Sequence, residues 1–180
     1  MQANAAPALI NTPVLETERL ILRAPVASDF APYADFIASD RGRYMGGPMA
    51  RDLAWRAFAS GFGHWVIRGF GGFVVTLKST GAAIGRVGPW FPEGWPEPEI
   101  GWGLWDHSAE GKGYAFEAAS AALRHAFRDL GWKTAVSYIV PDNARSIALA
   151  KRLGAVQDAT AAFPGDKPAL VFRHPNPGVA

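Results

Sequence analysis

The hydrophobic pattern changes period several times along the chain. TERLILRA (17–24) alternates, with Leu20 and Leu22 on one face and Arg19, Ile21 and Arg23 on the other. That period of two predicts an edge or half-buried strand, which Pro25 ends. SDFAPYADFIAS (28–39) instead spaces Phe30, Tyr33, Phe36 and Ile37 as a helix does. Ser28 and Asp29 are good N-cap types for it, and Pro32 falls in its first turn. RDLAWRAFASGFGHWVIR (51–68) predicts a second helix that fades at Gly61 and Gly63. From Gly71 the period returns to two. GGFVVTLK (71–78) and AAIGRVGPWF (82–91), joined by the turn STG, predict a hairpin.

After the Pro-rich loop PEGWPEP (92–98), EIGWGLW (99–105) reads as a further strand. A helix is expected over 114–130, where Ala115, Ala119, Ala122 and Ala126 with Phe116, Leu123, Phe127 and Leu130 make a broad apolar face. TAVSYIV (134–140) is a strand and ARSIALAKRL (144–153) a helix closed by Gly154. Two short strands, around AVQDATAAF (155–163) and ALVFRH (169–174), complete an α+β chain with a mixed sheet.

At 180 residues and 49% hydrophobic, one domain with one substantial core is expected, over 14–174, between a flexible arm at 1–13 and a tail at 175–180. The 18 Lys and Arg against 16 Asp and Glu leave a net charge of +2, which argues against nucleic acid and suits a single anionic ligand. Cysteine is absent, so thiolate metal sites and cysteine nucleophiles are excluded together. The first twenty residues show no basic, apolar leader pattern, and no run approaches a membrane span, so a cytoplasmic protein with no membrane partner is expected.

The chemistry concentrates in AEGKGYAFEA (109–118). A strand, a turn with Gly111 and Gly113, and a helix start make an anion site, because free backbone N–H groups and the positive helix end point the same way. A Walker A loop would need a hydroxyl after Gly111-Lys112, where this chain has Gly113 and Tyr114. A Rossmann fingerprint would need a third glycine where Glu117 stands. In combination with SYIVPDNARSIALAKRLGA (137–155), the sequence resembles the GNAT superfamily of acetyl-CoA-dependent N-acetyltransferases, in the branch that includes ribosomal-protein-alanine acetyltransferases. The family motif Gln/Arg-x-x-Gly-x-Gly/Ala falls on Glu110, Gly111, Lys112, Gly113, Tyr114 and Ala115, with glutamate where the family has Gln or Arg. Glu117-Ala118, Asn143, Ser146 and Leu153-Gly154-Ala155 follow in order, and TERLILRAP looks like the branch's first strand.

The resemblance implies a mostly antiparallel sheet flanked by about four helices and splayed between 99–105 and 134–140. Pantetheine would lie in the opening, held by backbone near Leu104 and Trp105, with the pyrophosphate on the turn. Asn143 would bond pantetheine and Ser146 would protonate the leaving sulfur. An amine can attack the thioester directly, so no protein nucleophile is needed. Glu99, starting the strand beside the thioester, is the expected base, with Glu93 and Glu97 as alternatives. Lys112 and Arg145 flank helix starts and are candidates for phosphate contacts. Trp90, Phe91, Glu93 and Trp95 are expected to wall a site for a small-molecule or peptide amine, though such aromatics would equally suit a homodimer interface. His64, His107, His125 and His174 lack metal-ligand spacing, so no metal is expected. A catalytically silent CoA-binding or sensing module, and a nucleotide-binding protein using the same turn, are the alternatives.

Overall fold

The computed structural model describes residues 8–176. Positions 1–7 and 177–180, most of the expected arm and tail, lie outside the described residues. Twelve regular elements follow in chain order: β1 (Leu15–Glu16), β2 (Leu20–Arg23), α1 (Phe30–Ala38), α2 (Arg51–Arg68), β3 (Phe73–Leu77), β4 (Ala83–Trp90), β5 (Glu99–Leu104), α3 (Tyr114–Arg128), β6 (Val136–Ile139), α4 (Ala144–Arg152), β7 (Val156–Gln157) and β8 (Leu170–Arg173). The strands form one sheet in the order β1-β2-β3-β4-β5-β6-β8-β7. Every neighbouring pair is antiparallel except β5 and β6.

Alternation assigns the two faces. Leu20 and Leu22, both fully buried, join Phe73, Val75 and Val87 under α3. Small residues at Ala118, Ala119 and Ala122 let that helix lie close on the sheet. Its buried stripe also takes in Ala121 and His125, whose Nδ1 lies 2.7 Å from Asp129 Oδ2. On the opposite face Val74 and Trp105 pack with Tyr33, Phe36 and Ile37 of α1 and Ala54 and Phe58 of α2. β2 is half-buried but not an edge, because the two-residue β1 covers it.

Two local expectations change. Asp29 does not cap α1. Its carboxylate accepts from Val26 N–H and, in two bonds of 2.7 and 2.9 Å, from the Arg23 guanidinium. Residues Ala27–Asp29 are a 3-10 turn, and the helix starts at Phe30. Nor does α2 fade at its glycines; it runs to Arg68 because Gly61 is a packing site, where a Cβ would stand 3.4 Å from Arg86 Nη1. Among the described residues, no helix is long and apolar enough to cross a membrane.

Candidate active site

The sheet opens at the parallel pair of β5 and β6. Between β5 and β6 the pairing is confined to Glu99 and Val136, with Val136 N–H donating to Pro98 O at 3.0 Å. Beyond that point side chains replace the ladder. Ser137 Oγ donates to Ile100 O at 2.6 Å, and the Glu99 carboxylate accepts the backbone N–H of Tyr138. Since the Ser137 proton is spent on Ile100, His174 Nε2, 2.9 Å away, must be its donor. Burial holds His174 down at about 4, so this wedge is neutral at ordinary pH. On the other edge of β5, Trp105 N–H donates to Ile84 O at 2.8 Å. Backbone direction alternates along a strand, so the N–H groups of Trp102 and Leu104 point away from β4, into the opening. Of the two residues expected to hold pantetheine, Leu104 therefore offers its amide. Trp105 spends its amide on β4 and buries its indole 5.6 Å from Tyr33.

At the foot of the opening lies the glycine turn. Asp106 caps a 3-10 turn at His107–Ala109 by accepting from Ser108 N–H. Gly111 (φ 72°) and Gly113 (φ 81°) then take left-handed backbone, and Gly113 is the N-cap of α3. Glycine is required for that conformation rather than for close packing, since a Cβ on Gly111 would meet open space. The first helical bond is Glu117 N–H to Gly113 O at 3.0 Å, leaving the amides of Tyr114, Ala115 and Phe116 to face outward. Glu117 turns from the opening and binds Arg19 through its backbone N–H at 2.9 Å and Nε at 2.7 Å. Arg19 Nη1 in turn donates to Lys112 O, so the residue just before β2 braces the turn. The Lys112 side chain is exposed.

Glu110 does not leave a bare negative charge beside this site. Arg41, from the segment between α1 and α2, and Arg145, at the start of α4, each reach it at 2.6 Å. Burial pushes the Glu110 carboxyl up, but the bonds from the two guanidinium groups outweigh it and the net shift is downward. Arg41 also donates to Leu104 O and Trp105 O, strapping the end of β5 to the turn.

Above the opening, Asn143 caps α4: its Oδ1 accepts Ser146 N–H at 3.2 Å, which leaves its amide NH₂ free to donate. Ser146 Oγ accepts the indole N–H of Trp102 across the seam at 3.1 Å. With one lone pair so engaged, the hydroxyl proton is still available.

Glu99 stands on the face covered by α1 and α2. Burial raises its carboxyl to about 7, against the opposing effects of the Trp95 indole N–H (2.8 Å), the Tyr138 backbone N–H and the Arg86 charge. The two alternative carboxyls have different surroundings. Glu97 accepts both arms of Arg173 at 2.6 and 2.9 Å, and Glu93 is fully exposed beside Arg68. Trp95 is a partner of Glu99, while Trp90 stacks on His64 at 4.5 Å and Phe91 donates its N–H to His64 Nε2. His64 Nδ1 then donates to Phe70 O, and burial keeps the ring neutral by lowering its pKa. Among the described residues, no cluster of metal-ligating side chains occurs.

Three site residues lay outside the sequence-based expectations: Trp102, Arg41 and Arg86. Strand alternation in EIGWGLW separates Trp102 from Glu99, and Arg86 is the lone charge in an apolar strand, so both carried a readable signal. Arg41 carried none.

A family model described as an acetyltransferase (GNAT) domain matches residues 19–156. The crystal structure of an acetyltransferase from Agrobacterium tumefaciens str. C58 is 38% identical, with a TM-score of 0.85 over 94% of this chain and 98% of its own. The ribosomal-protein-S5-alanine acetyltransferase from Vibrio fischeri is 18% identical, with a TM-score of 0.66 over 92% of this chain and 98% of its own. RimL, a ribosomal L7/L12 α-N-protein acetyltransferase solved with coenzyme A, is 17% identical, with a TM-score of 0.70 over 89% of this chain and 96% of its own. At those identities the two ribosomal-protein enzymes share the fold alone.

Proposed function

The chain belongs to the GNAT family of acetyltransferases, and on that premise we propose that it is a cytoplasmic enzyme transferring an acetyl group from acetyl-CoA to a primary amine. The acceptor classes are an amino acid, a small amine or a protein N-terminus. One observation carries the reading. The sheet is open along β5, whose edge carries unpaired backbone amides with a carboxyl of raised pKa at the paired end and a hydroxyl across the seam, and β5 leads into a helix start preceded by left-handed glycines.

The turn fits a pyrophosphate, because the outward amides of Tyr114, Ala115 and Phe116 and the α3 dipole all favour an anion there. Lys112 and Arg145 add positive charge at its rim. Pantetheine would run along the free edge of β5, where Leu104 N–H donates and the Asn143 amide caps the opposite wall. When bound, the coenzyme supplies the activated acetyl group. Glu99 takes a proton from the acceptor ammonium, freeing the lone pair that forms the new C–N bond. Leu104 N–H lies on the edge where it can polarise the thioester carbonyl. Ser146, oriented by Trp102, gives a proton to the sulfur as the C–S bond breaks and takes back the second proton that the nitrogen sheds as the amide forms. The balance is one amide and one thiol from one amine and one thioester.

Arg41 and Arg145 neutralise Glu110, so an acidic side chain at the phosphate site gives no support to the alternative of a silent CoA-binding module. The test is release of free thiol from acetyl-CoA with amino acids, alkylamines and peptides beginning with Ala, Ser or Met. At least one acceptor should give release well above hydrolysis, and coenzyme A but not ATP should raise the melting temperature. Release at the hydrolytic rate throughout would overturn the enzyme reading.

A further inference from the structure

Arg86 has no counter-charge. It stands mid-strand on β4, opposite Val74 of β3 and Gly103 of β5, on the face that α1 and α2 cover. Its guanidinium lies 4.8 Å over the Trp90 ring. Gly61 of α2 makes room on one side, and a Cβ on Gly72 would collide with Arg86 Nε on the other. The other partly buried arginines are paired: Arg23 with Asp29, Arg41 with Glu110, and Arg173 with Glu97 and Asp158. Among the described residues, the Arg86 guanidinium has no hydrogen-bond or ion-pair partner, and its nitrogens are not sealed from solvent. The acidic groups that act on it at longer range are Glu99 and Tyr33, the latter an uncharged phenol whose pKa burial raises further. A cation taken out of water without a partner is a cost to the fold, so its retention needs another cause.

Its place supplies one. Trp90 pairs with Glu99, Arg86 pairs with Gly103, and the row between them is Gly88 with Gly101, which carries no side chain. Glu99 leans along this bare strip, with Oε1 3.7 Å from where a Cβ on Gly101 would stand. Arg86 leans toward it from the other end, over Trp90. The strip thus has a carboxyl at one end, an unpaired guanidinium at the other and an aromatic wall beside it.

We propose that the acceptor carries a carboxylate as well as an amine, and that Arg86 binds the carboxylate while the amine faces Glu99. The substrate class is an amino-acid-like zwitterion rather than a polycationic amine. A planar guanidinium takes a carboxylate in two parallel bonds, and a second cation in the acceptor would be repelled. The inference rests on the acetyl-transfer reading of this site and narrows its acceptor.

The test is thiol release from acetyl-CoA with amino acids of increasing amine-to-carboxylate spacing, each beside its carboxamide and the diamine of equal length. The acid should exceed its carboxamide at least tenfold in kcat/KM at the preferred spacing, and Arg86→Gln should reduce that ratio at least tenfold. Arg86→Lys, which keeps charge but not the fork, should retain part of it. An acid no better than its carboxamide, or a ratio that survives Arg86→Gln, overturns the proposal. Thiol release with uncharged amines alone would thus sink this inference and leave acetyl transfer standing. If no amine reacts, the transfer reading fails, and melting with the same acids and carboxamides decides the anion site. Acids that stabilise the wild type but not Arg86→Gln uphold the site, and indifference to the carboxylate removes it. Arg86→Gln should melt no lower than the wild type, because it removes an uncompensated charge; a markedly lower melt would mean a structural arginine and refute the assignment.

Discussion

Replacing Glu99 with glutamine separates the cost of this carboxyl from its use. In the folded chain burial lifts Glu99 from its ordinary 4.5 to about 7. The folded state therefore binds the proton more tightly than the unfolded state, so protonation favours folding. That advantage is complete below 4.5 and is lost as pH rises to 7. At ~1.36 kcal/mol for each tenfold change in proton affinity, the penalty above neutrality is about 3 kcal/mol. Glutamine keeps the shape and an acceptor oxygen for Trp95 and Tyr138 but has no charge to desolvate. Glu99→Gln should thus match the wild type near pH ~5 and exceed its stability by up to about 3 kcal/mol near pH ~9, read from denaturant melts at both values. Activity should move the other way. Wild-type kcat/KM should rise through about 7 as Glu99 loses its proton, while the variant lacks that limb and falls ~10²–10⁴-fold behind on the alkaline side. Trp95→Phe, which removes a donor to the carboxylate, should move the limb upward. A stability difference that ignores pH would show that the carboxyl is not held neutral by burial. An intact limb in Glu99→Gln would remove it as the base.

Ser146→Ala should lower kcat by ~10²-fold with little change in KM for acetyl-CoA, and Trp102→Phe, which only frees the hydroxyl to rotate, should lower it less; equal losses would make Trp102 more than an orienting residue. Gly113→Ala forces a Cβ into left-handed backbone at a cost of about 1–2 kcal/mol and should weaken coenzyme A about tenfold by calorimetry; unchanged affinity would mean the turn does not carry the phosphate. Asp29→Ala should cost about 3 kcal/mol in chemical denaturation, because it strands the Arg23 charge in a site where Asp29 is 2% exposed, and a loss under ~1 kcal/mol would show that water reaches Arg23.

The element order, the glycine turn and the two residues of the α4 start were legible because each rests on neighbours in sequence. Left-handed glycine before a helix is a local backbone event, and an Asn three residues before a Ser is a local cap. Where a contact with another element competes with the local preference, the local reading gave way. Asp29 left its helix to pair with Arg23, and Gly61 stayed helical because Arg86 fills the space beside it.

Sequence alone determined the period of each strand and helix, the lack of a thiol nucleophile, and the glycine turn that leaves the first main-chain amides of α3 open. Tertiary structure decided which charges are neutralised. Glu97 went to Arg173, Glu110 to Arg41 and Arg145, and Glu99 and Arg86 were left without a close ionic partner on one bare strip of sheet. The reason is physical: the hydrophobic period is a property of consecutive residues, whereas a charge's partner and its dielectric are set by elements that meet only when the sheet closes.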